Sequence, residues 1–189
     1  MAPVELRTSR LALRAPGADD IDAITAICQD PEIARWTTVP SPYSRADAEE
    51  FVHLVAQWWA DGSETVWCAY VDGELIAALG LHRITRHDAG GDAELGYWVA
   101  ASARGKGYLT EAARAVIDWA FAELDLVRIV WRAVIGNVAS ARSARALGFR
   151  FEGSARQALT GPRGRDDCWC AGLLRDDDRA PVPWPLELG

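Results

Sequence analysis

Residues 104 to 107, Arg-Gly-Lys-Gly, place two basic side chains and two glycines directly before an amphipathic helical stretch. Glycines let backbone N–H groups approach a ligand closely, and the start of a helix carries a partial positive charge. Phosphates and other anions bind at junctions of this kind. The sequence therefore predicts an anion-binding loop at the start of this helix.

Two nucleotide-binding loops share these ingredients but differ in spacing. A P-loop places Ser or Thr directly after its lysine, whereas Lys106 is followed by Gly107. A dinucleotide-binding loop needs a third glycine, where this chain has Thr110, and an acidic residue after the next strand, where it has Ile135. We therefore expect neither nucleotide fold.

The composition suits one domain. At 189 residues, half of them hydrophobic, the chain can bury a sizeable core, and we assign residues 1–175 to this domain and residues 176–189 to a proline-rich tail. No apolar run approaches about 20 residues, and the N-terminus lacks the order of a secretion signal. We expect a cytoplasmic protein that does not contact a membrane.

The charge distribution limits the partners. A formal net charge of −7 argues against nucleic-acid binding, which depends on a basic surface. Five arginines and no acid lie between residues 126 and 151, which indicates either a compact polyanionic ligand or scattered, solvated arginines. The cysteines and histidines show no zinc-site spacing, so we predict no metal and expect His82 at the surface or at a strand end.

The periodicity of apolar residues predicts the elements that position the loop. An extended segment and two helices come first, the second helix beginning near Ser44 and ending at Gly62. A hairpin follows, with its turn at Asp72-Gly73, and a third strand leads into the loop and its helix. A further strand, a short helix capped by Asn137 and two last strands complete the order.

The stretch from Arg104 to Leu109 resembles the R/Q-x-x-G-x-G/A signature of the GCN5-related N-acetyltransferase (GNAT) superfamily. Its context, "ELGYWV" before it, "TEA" at the helix start and "N-V-A-S-x(6)-L-G-F" after it, is similar to the RimJ/RimL-like branch that acetylates ribosomal-protein N-termini. The resemblance implies an α/β (α+β) GNAT fold: a mixed, mostly antiparallel sheet of about seven strands with a splayed pair, and about four flanking helices.

The resemblance also implies acetyl-CoA as cosubstrate. Its pyrophosphate would lie on the loop amides, and its pantetheine would pair with the free edge of the splayed strand. Leu109 departs from the signature's last Gly or Ala, which leaves its packing on the cofactor open. The implied cofactor-binding residues are Trp98, Val99, Ala100, Arg104, Gly105, Lys106, Gly107, Tyr108, Leu109, Thr110, Asn137 and Ser140.

Transfer of an acyl group from a thioester to an amine needs a neutral amine, a stabilised oxyanion and a proton for the thiolate. We expect Glu94 to act as the base, with a surface-exposed strand acid as the alternative, and a backbone N–H near Val99 to bind the oxyanion. Many members of the superfamily place a tyrosine acid where this chain has Ala144, so Ser140 is the candidate acid, with helix capping as its alternative role.

The sequence says less about the residues that would bind the amine acceptor. Trp36 and Tyr43, expected in a loop, and Glu94 are the candidate substrate-binding residues. The expected function is acetyl transfer to a protein N-terminal amine or a small amine through a ternary complex. A larger donor such as succinyl-CoA and a catalytically silent acyl-CoA-binding module are the alternatives, and the resemblance also allows a homodimer.

Overall fold

The computed structural model describes residues 1–162 and 164–187, whose strands form a single mixed sheet. The eight strands in this part of the chain are β1 (Leu6–Arg7), β2 (Ala12–Arg14), β3 (Thr65–Val71), β4 (Glu74–His82), β5 (Gly91–Val99), β6 (Leu126–Val134), β7 (Arg150–Gly161) and β8 (Gly164–Leu174). The α-helices are α1 (Ile21–Cys28), α2 (Pro31–Trp36), α3 (Arg45–Asp61), α4 (Tyr108–Glu123) and α5 (Val138–Ala146). The strand order in space is β1-β2-β3-β4-β5-β6-β8-β7.

Strands β5 and β6 are parallel, the other pairs in the sheet are antiparallel, and these two separate part of the way along their length. Their pairing runs from Gly91 with Leu126 to Glu94 with Val130. Beyond that point β5 stays paired with β4 as far as Val99, and β6 stays paired with β8. The sheet is therefore open between the upper halves of β5 and β6, which confirms the expected splayed pair.

Local signals set the ends of several elements as expected. Ser44 and Asp47 form a reciprocal capping box at the start of α3, in which the Asp47 carboxylate accepts the Ser44 N–H at 2.7 Å. Gly62 ends the helix in the left-handed conformation, with φ of +72°. The turn between β3 and β4 has positive φ at both Asp72 and Gly73, as the hairpin pattern predicts.

The sheet buries apolar side chains on both faces, because helices pack against each of them. Helices α1 and α2 and the first half of α3 cover one face, where Ile24, Ala48, Cys68, Ala78 and Trp98 pack together. Helices α4 and α5 cover the other face and share the larger core cluster, whose fully buried members include Ile117, Ile129, Trp131, Ala141 and Phe149. The opening between β5 and β6 is therefore bordered by α1, α2 and α3 on one face and by α4 and α5 on the other.

The fold class implied by the resemblance is confirmed, with one more strand and one more helix in the described residues than expected. The N-terminal segment divides into β1 and β2, because the Thr8 hydroxyl accepts the Leu11 N–H at 3.0 Å and turns the chain. The extra helix is α2. Pro31 occupies its first turn, and the Asp30 carboxylate accepts the Glu32 N–H at 2.9 Å, so Pro31 begins a helix.

The segment after Leu174 has no helix or strand among the described residues, yet it packs on the core. The Trp184 indole lies 5.5 Å from both Trp131 and Phe151, measured between ring centroids, and its N–H donates to the Phe149 carbonyl at 3.0 Å. Residues 188 and 189, the end of the predicted tail, lie outside the described residues. None of the helices described is both long enough and apolar enough to cross a membrane.

Candidate active site

A cleft of about 1090 Å³ runs through the opening between β5 and β6 and reaches both faces of the sheet. It contains most of the residues predicted from the sequence, namely Trp36, Tyr43, Glu94, Trp98, Val99, Arg104, Gly105, Gly107, Tyr108, Leu109, Thr110, Asn137 and Ser140. Ala100 and Lys106 are not among its lining residues. The fold thus gathers these separate motifs around one opening.

The Gly-rich loop has the backbone geometry of an anion site. Gly105 and Gly107 have φ of +74° and +77°, which favours glycine, and Gly107 caps α4. The first three N–H groups of α4, from Tyr108 to Thr110, have no intrahelical acceptor, because the first bond of the helix runs from the Glu111 N–H to the Gly107 carbonyl. These donors lie at the positive end of the helix and line the cleft.

The Arg104 side chain and the Lys106 backbone carbonyl are both engaged within the protein. Arg104 donates to the Val99 carbonyl at 3.2 Å and to the Asp30 carboxylate at 2.6 Å, so it ties the loop to the start of α2. The Lys106 carbonyl accepts from Arg10 at 3.2 Å. Ala100 is buried and donates its N–H to the Ile76 carbonyl at 2.9 Å, which fixes the end of β5. The loop therefore offers mainly backbone amides to the cleft.

A partly buried hydrogen-bond network surrounds Ser140. The Asn137 side chain accepts the Ser140 N–H at 3.2 Å and caps α5, as predicted. The Ser140 hydroxyl oxygen accepts the Trp131 indole N–H at 3.0 Å and lies 2.8 Å from the Tyr97 hydroxyl. Burial raises the pKa of Tyr97, and its hydrogen bonds to Ser140 and Trp131 act in the opposite sense. The phenol remains protonated and can donate to Ser140.

Glu94 lies on the opposite face of the sheet from this network, since side chains alternate along β5. Its Oε2 atom accepts from Arg83 at 2.9 Å and also from Arg132. Burial raises the pKa of Glu94, while the positive charges of Arg83 and His82 lower it. Glu94 is thus a shielded, ion-paired carboxylate at the floor of the cleft, and its catalytic role stays a prediction.

Beside Glu94 stands a second titratable pair that the sequence interpretation did not include. His82 is directly opposite Glu94 in the β4–β5 register, and its Nδ1 lies 2.6 Å from a carboxylate oxygen of Glu64. Both side chains are partly buried and line the cleft. The expectation that His82 ends a strand is confirmed, but the residue faces the cleft.

Trp36 and Tyr43, the predicted acceptor residues, lie in the segments that cover the Glu94 face of the sheet. Trp36 is the last residue of α2, and its indole N–H donates to Glu32 at 3.0 Å, so the expectation of a loop position is wrong for this residue. A Cβ atom on Gly136, before α5, would lie 3.8 Å from the Trp36 ring, which shows that the ring reaches the far side of the cleft. Tyr43 is in the coil before α3 and is almost fully buried, so it contributes mainly to the core.

Tyr97, Trp131, His82 and Glu64 are the site residues that sequence reasoning missed. Tyr97 stands inside the quoted "ELGYWV" motif, and its alternation with Glu94 could have placed it on the α5 face. No comparable signal marks His82, because its neighbours depend on the pairing of β4 with β5. Among the residues described, no group of three or more His, Cys, Asp and Glu side chains could hold a metal ion.

Comparison with known proteins identifies the family. The family model described as "Acetyltransferase (GNAT) domain" matches residues 10–150. The chain is 40% identical over 88 residues to YdaF of Bacillus subtilis (strain 168), whose name places it among ribosomal N-acetyltransferases, and this match covers 47% of each protein. It is 28% identical over 153 residues to the uncharacterized N-acetyltransferase p20 of Bacillus licheniformis, covering 80% of this chain and 85% of p20.

The fold is shared with RimL, a ribosomal α-N-protein acetyltransferase solved in complex with coenzyme A. The two superimpose with a TM-score of 0.83 at 20% identity, over 93% of this chain and 100% of RimL. The chain therefore belongs to the GNAT acetyltransferase domain family, which is a family of N-acetyltransferases. In its match to YdaF the chain spans about half of that relative's length.

Proposed function

We propose that this chain transfers the acetyl group of acetyl-CoA directly to a primary amine within a ternary complex. The observation that carries the proposal is the cleft through the sheet, which joins the amide-rich loop at Gly105 and Gly107 to the opening between β5 and β6. One side of this opening presents the Ser140 hydroxyl and the other presents acidic side chains and an imidazole. Membership of the GNAT family supports the reaction type.

The loop and strand β5 would bind the donor. Backbone N–H groups from Gly105 to Thr110 suit the pyrophosphate, because fixed amides at a helix start stabilise negative charge without reorganising. The edge of β5 beyond Glu94 is not paired with β6, and alternation along the strand turns the backbone of Val99 toward this edge. The Val99 carbonyl accepts from Arg104, so the Val99 N–H is the group available to a pantetheine amide, with Trp98 lining the cleft beside it. Ala100 and Lys106, which the sequence also predicts, would act through the backbone shape of the loop.

Ser140 would protonate the departing thiolate. Trp131 donates a hydrogen bond to its oxygen, and Tyr97 can donate a second, which leaves the serine proton free to point into the cleft. Both donors also stabilise the negative charge that develops on this oxygen as its proton leaves. A backbone N–H near Val99 would bind the oxyanion of the tetrahedral intermediate.

The acceptor would approach from the face that carries Glu94. The cleft lining on this side includes the acids Glu32, Asp47, Glu50, Glu64 and Asp166. Their charge favours a cationic amine, and the names of YdaF and RimL support a protein N-terminal amine. Two groups on this face could take the proton of the ammonium, the predicted Glu94 and the unexpected His82.

Calorimetry with acetyl-CoA, followed by an acceptor screen by mass spectrometry, tests the proposal. The screen uses peptides with free N-termini and small primary amines, with succinyl-CoA in parallel. We expect micromolar binding of acetyl-CoA and a mass increase of one acetyl group on at least one amine. Failure to bind acetyl-CoA would overturn the proposal, whereas binding without turnover of any amine would support the silent binding module. Faster turnover with succinyl-CoA would favour the larger donor.

The cytoplasmic location and the homodimer expected from the sequence belong to the same proposal. Sedimentation velocity of the purified chain measures its oligomeric state directly. A monomer at micromolar concentration would contradict the homodimer and leave the proposed chemistry unaffected, because the residues that carry the proposal all come from one chain.

A further inference from the structure

We propose that the imidazole of His82, oriented by Glu64, takes the proton from the acceptor ammonium. This inference rests on the proposed acetyl transfer and names the base of that reaction. It arises from the placement of an imidazole and a carboxylate on the acceptor face of the opening, across the sheet from Ser140.

The Glu64–His82 contact fixes which nitrogen can act. The Glu64 carboxylate lies 2.6 Å from His82 Nδ1, and a carboxylate can only accept there, so Nδ1 carries the proton in the neutral ring. Nε2 is then the basic nitrogen, and it has no hydrogen-bond partner within the described ranges. The side chain of His82 is 33% exposed, which leaves it accessible from the cleft. A carboxylate that orients an imidazole in this way is a common means of preparing a general base.

Gly96 makes the room that this ring position needs. Gly96 is on the same face of β5 as Glu94, and a Cβ atom there would lie 2.8 Å from Cδ2 and 2.9 Å from Nε2 of His82. Gly96 also pairs with Gly80 on the neighbouring strand. The absence of a side chain at Gly96 therefore lets the imidazole lie against β5, while the space over Gly80 is filled by the Thr65 carbonyl and Val66.

Glu94 is less suited to the same task because of its charges. Arg83 and Arg132 both donate to its Oε2, so protonation of Glu94 would weaken two ion pairs. The charged groups around His82 are Glu64 before β3, Arg83 directly after β4, Glu94 on β5 and its partner Arg132 on β6, with Asp47 and Glu50 of α3 also on the cleft.

His82, Ser140 and solvent together account for every proton in the transfer. His82 Nε2 takes one proton from the ammonium, and the freed amine forms the C–N bond while the C–S bond breaks. The thiolate takes the Ser140 proton, and the second amine proton, released as the amide forms, restores the Ser140 hydroxyl. His82 then loses its proton to solvent, which matches the one proton that acetylation of an ammonium releases.

Kinetics of the full chain with acetyl-CoA and the best amine of the screen test this assignment. We expect His82→Ala to lower kcat/KM for the amine roughly 10²- to 10⁴-fold, the usual contribution of a general base. Imidazole added to the buffer should restore part of this loss, and Glu64→Gln should lower kcat about tenfold. His87→Ala is the matched control, since His87 is an exposed histidine of the following loop, and it should leave the rate unchanged.

The outcomes separate this inference from the proposed function. Unchanged kcat/KM in His82→Ala, in a variant that melts and binds acetyl-CoA like the parent, would overturn the role of His82 alone. A loss confined to Glu94→Gln would assign the base to Glu94 instead. A long-range ¹H–¹⁵N spectrum of the imidazoles supplies a readout that needs no acceptor. It should show His82 protonated at Nδ1 in the neutral ring and a loss of that preference in Glu64→Gln, and an Nε2-protonated ring in the parent would refute the assignment.

Discussion

Substitution of Tyr97 by Phe removes one hydroxyl and keeps the ring, so it tests the hydrogen bonds that this hydroxyl makes with Ser140 and Trp131. That hydroxyl lies 2.8 Å from the Ser140 oxygen, and Trp131 supplies the other donor at 3.0 Å. A hydrogen bond to a neutral oxygen contributes about 1 kcal/mol and one to a charged oxygen about 1.5–3 kcal/mol. If Ser140 gives up its proton as proposed, the bond strengthens by about 0.5–2 kcal/mol, and we expect kcat to fall about 2- to 30-fold.

The assay is the release of free CoA thiol, measured with a thiol reagent at saturating acetyl-CoA and amine. Ser140→Ala should lower kcat by about 10²- to 10⁴-fold, because it removes the proposed general acid. The double variant should be no slower than Ser140→Ala, since Tyr97 acts through Ser140. Tyr70→Phe, at another buried tyrosine on β3, is the control for loss of a phenol elsewhere in the core. A parental kcat in Tyr97→Phe, or independent multiplication of the two single effects, would refute this account of the network.

Three further predictions concern the loop, the N-terminal contact and the C-terminal segment. Gly105→Ala and Gly73→Ala each place a side chain in open space at a positive φ, +74° and +84°, so each should lower the unfolding free energy measured in urea by about 1–2 kcal/mol. Only Gly105→Ala should weaken acetyl-CoA binding in calorimetry. Hydrogen bonds from Thr8, Arg10 and Ser9 lower the pKa of Glu111 to about 2, so the stability that Glu111 adds should be present above about pH 4.5 and be lost as pH falls toward 2. The difference in unfolding free energy between the parent and Glu111→Gln should therefore shrink over that range. A difference that stays constant with pH would contradict this prediction. Trp184→Ala should lower the unfolding free energy by about 3 kcal/mol, since its ring is buried against the core, and an unchanged denaturation midpoint would show that the segment is dispensable.

Local signals were enough to predict the geometry of the Gly-rich loop and of the two helices beside it. A glycine pair with positive φ, a helix beginning at Tyr108 and the cap at Asn137 each depend on residues close in sequence. The order of strands and helices also follows from local periodicity, with two exceptions. The N-terminal segment divides into β1 and β2, and Pro31 and Asp30 start α2, a helix that is only six residues long. A helix of that length has too few apolar positions to show a period.

The acceptor face could not be predicted in the same way, because it depends on pairing between segments that are distant in sequence. The two-residue turn at Asp72-Gly73 sets the register of β3 with β4. A longer connection over residues 83–90 joins β4 to β5 and sets no register, so the position of His82 opposite Glu94 was not accessible. The contact of Ser140 with Tyr97 and Trp131 likewise requires β5, β6 and α5 to be packed together.

The separation of β5 and β6 also has a consequence for how this enzyme can diversify. The opening lets the two faces of the sheet serve different partners: Ser140, the proposed proton donor, lies on one face, and the proposed entry of the amine lies on the other. Trp36 and Thr38 reach toward Gly136 and Gly161 on the proposed amine side, whereas the start of α2 contacts the loop through Asp30 and Arg104. We therefore expect substitutions of Trp36 and Thr38, made without changing Asp30, to alter which amines are accepted while the loop keeps its contacts.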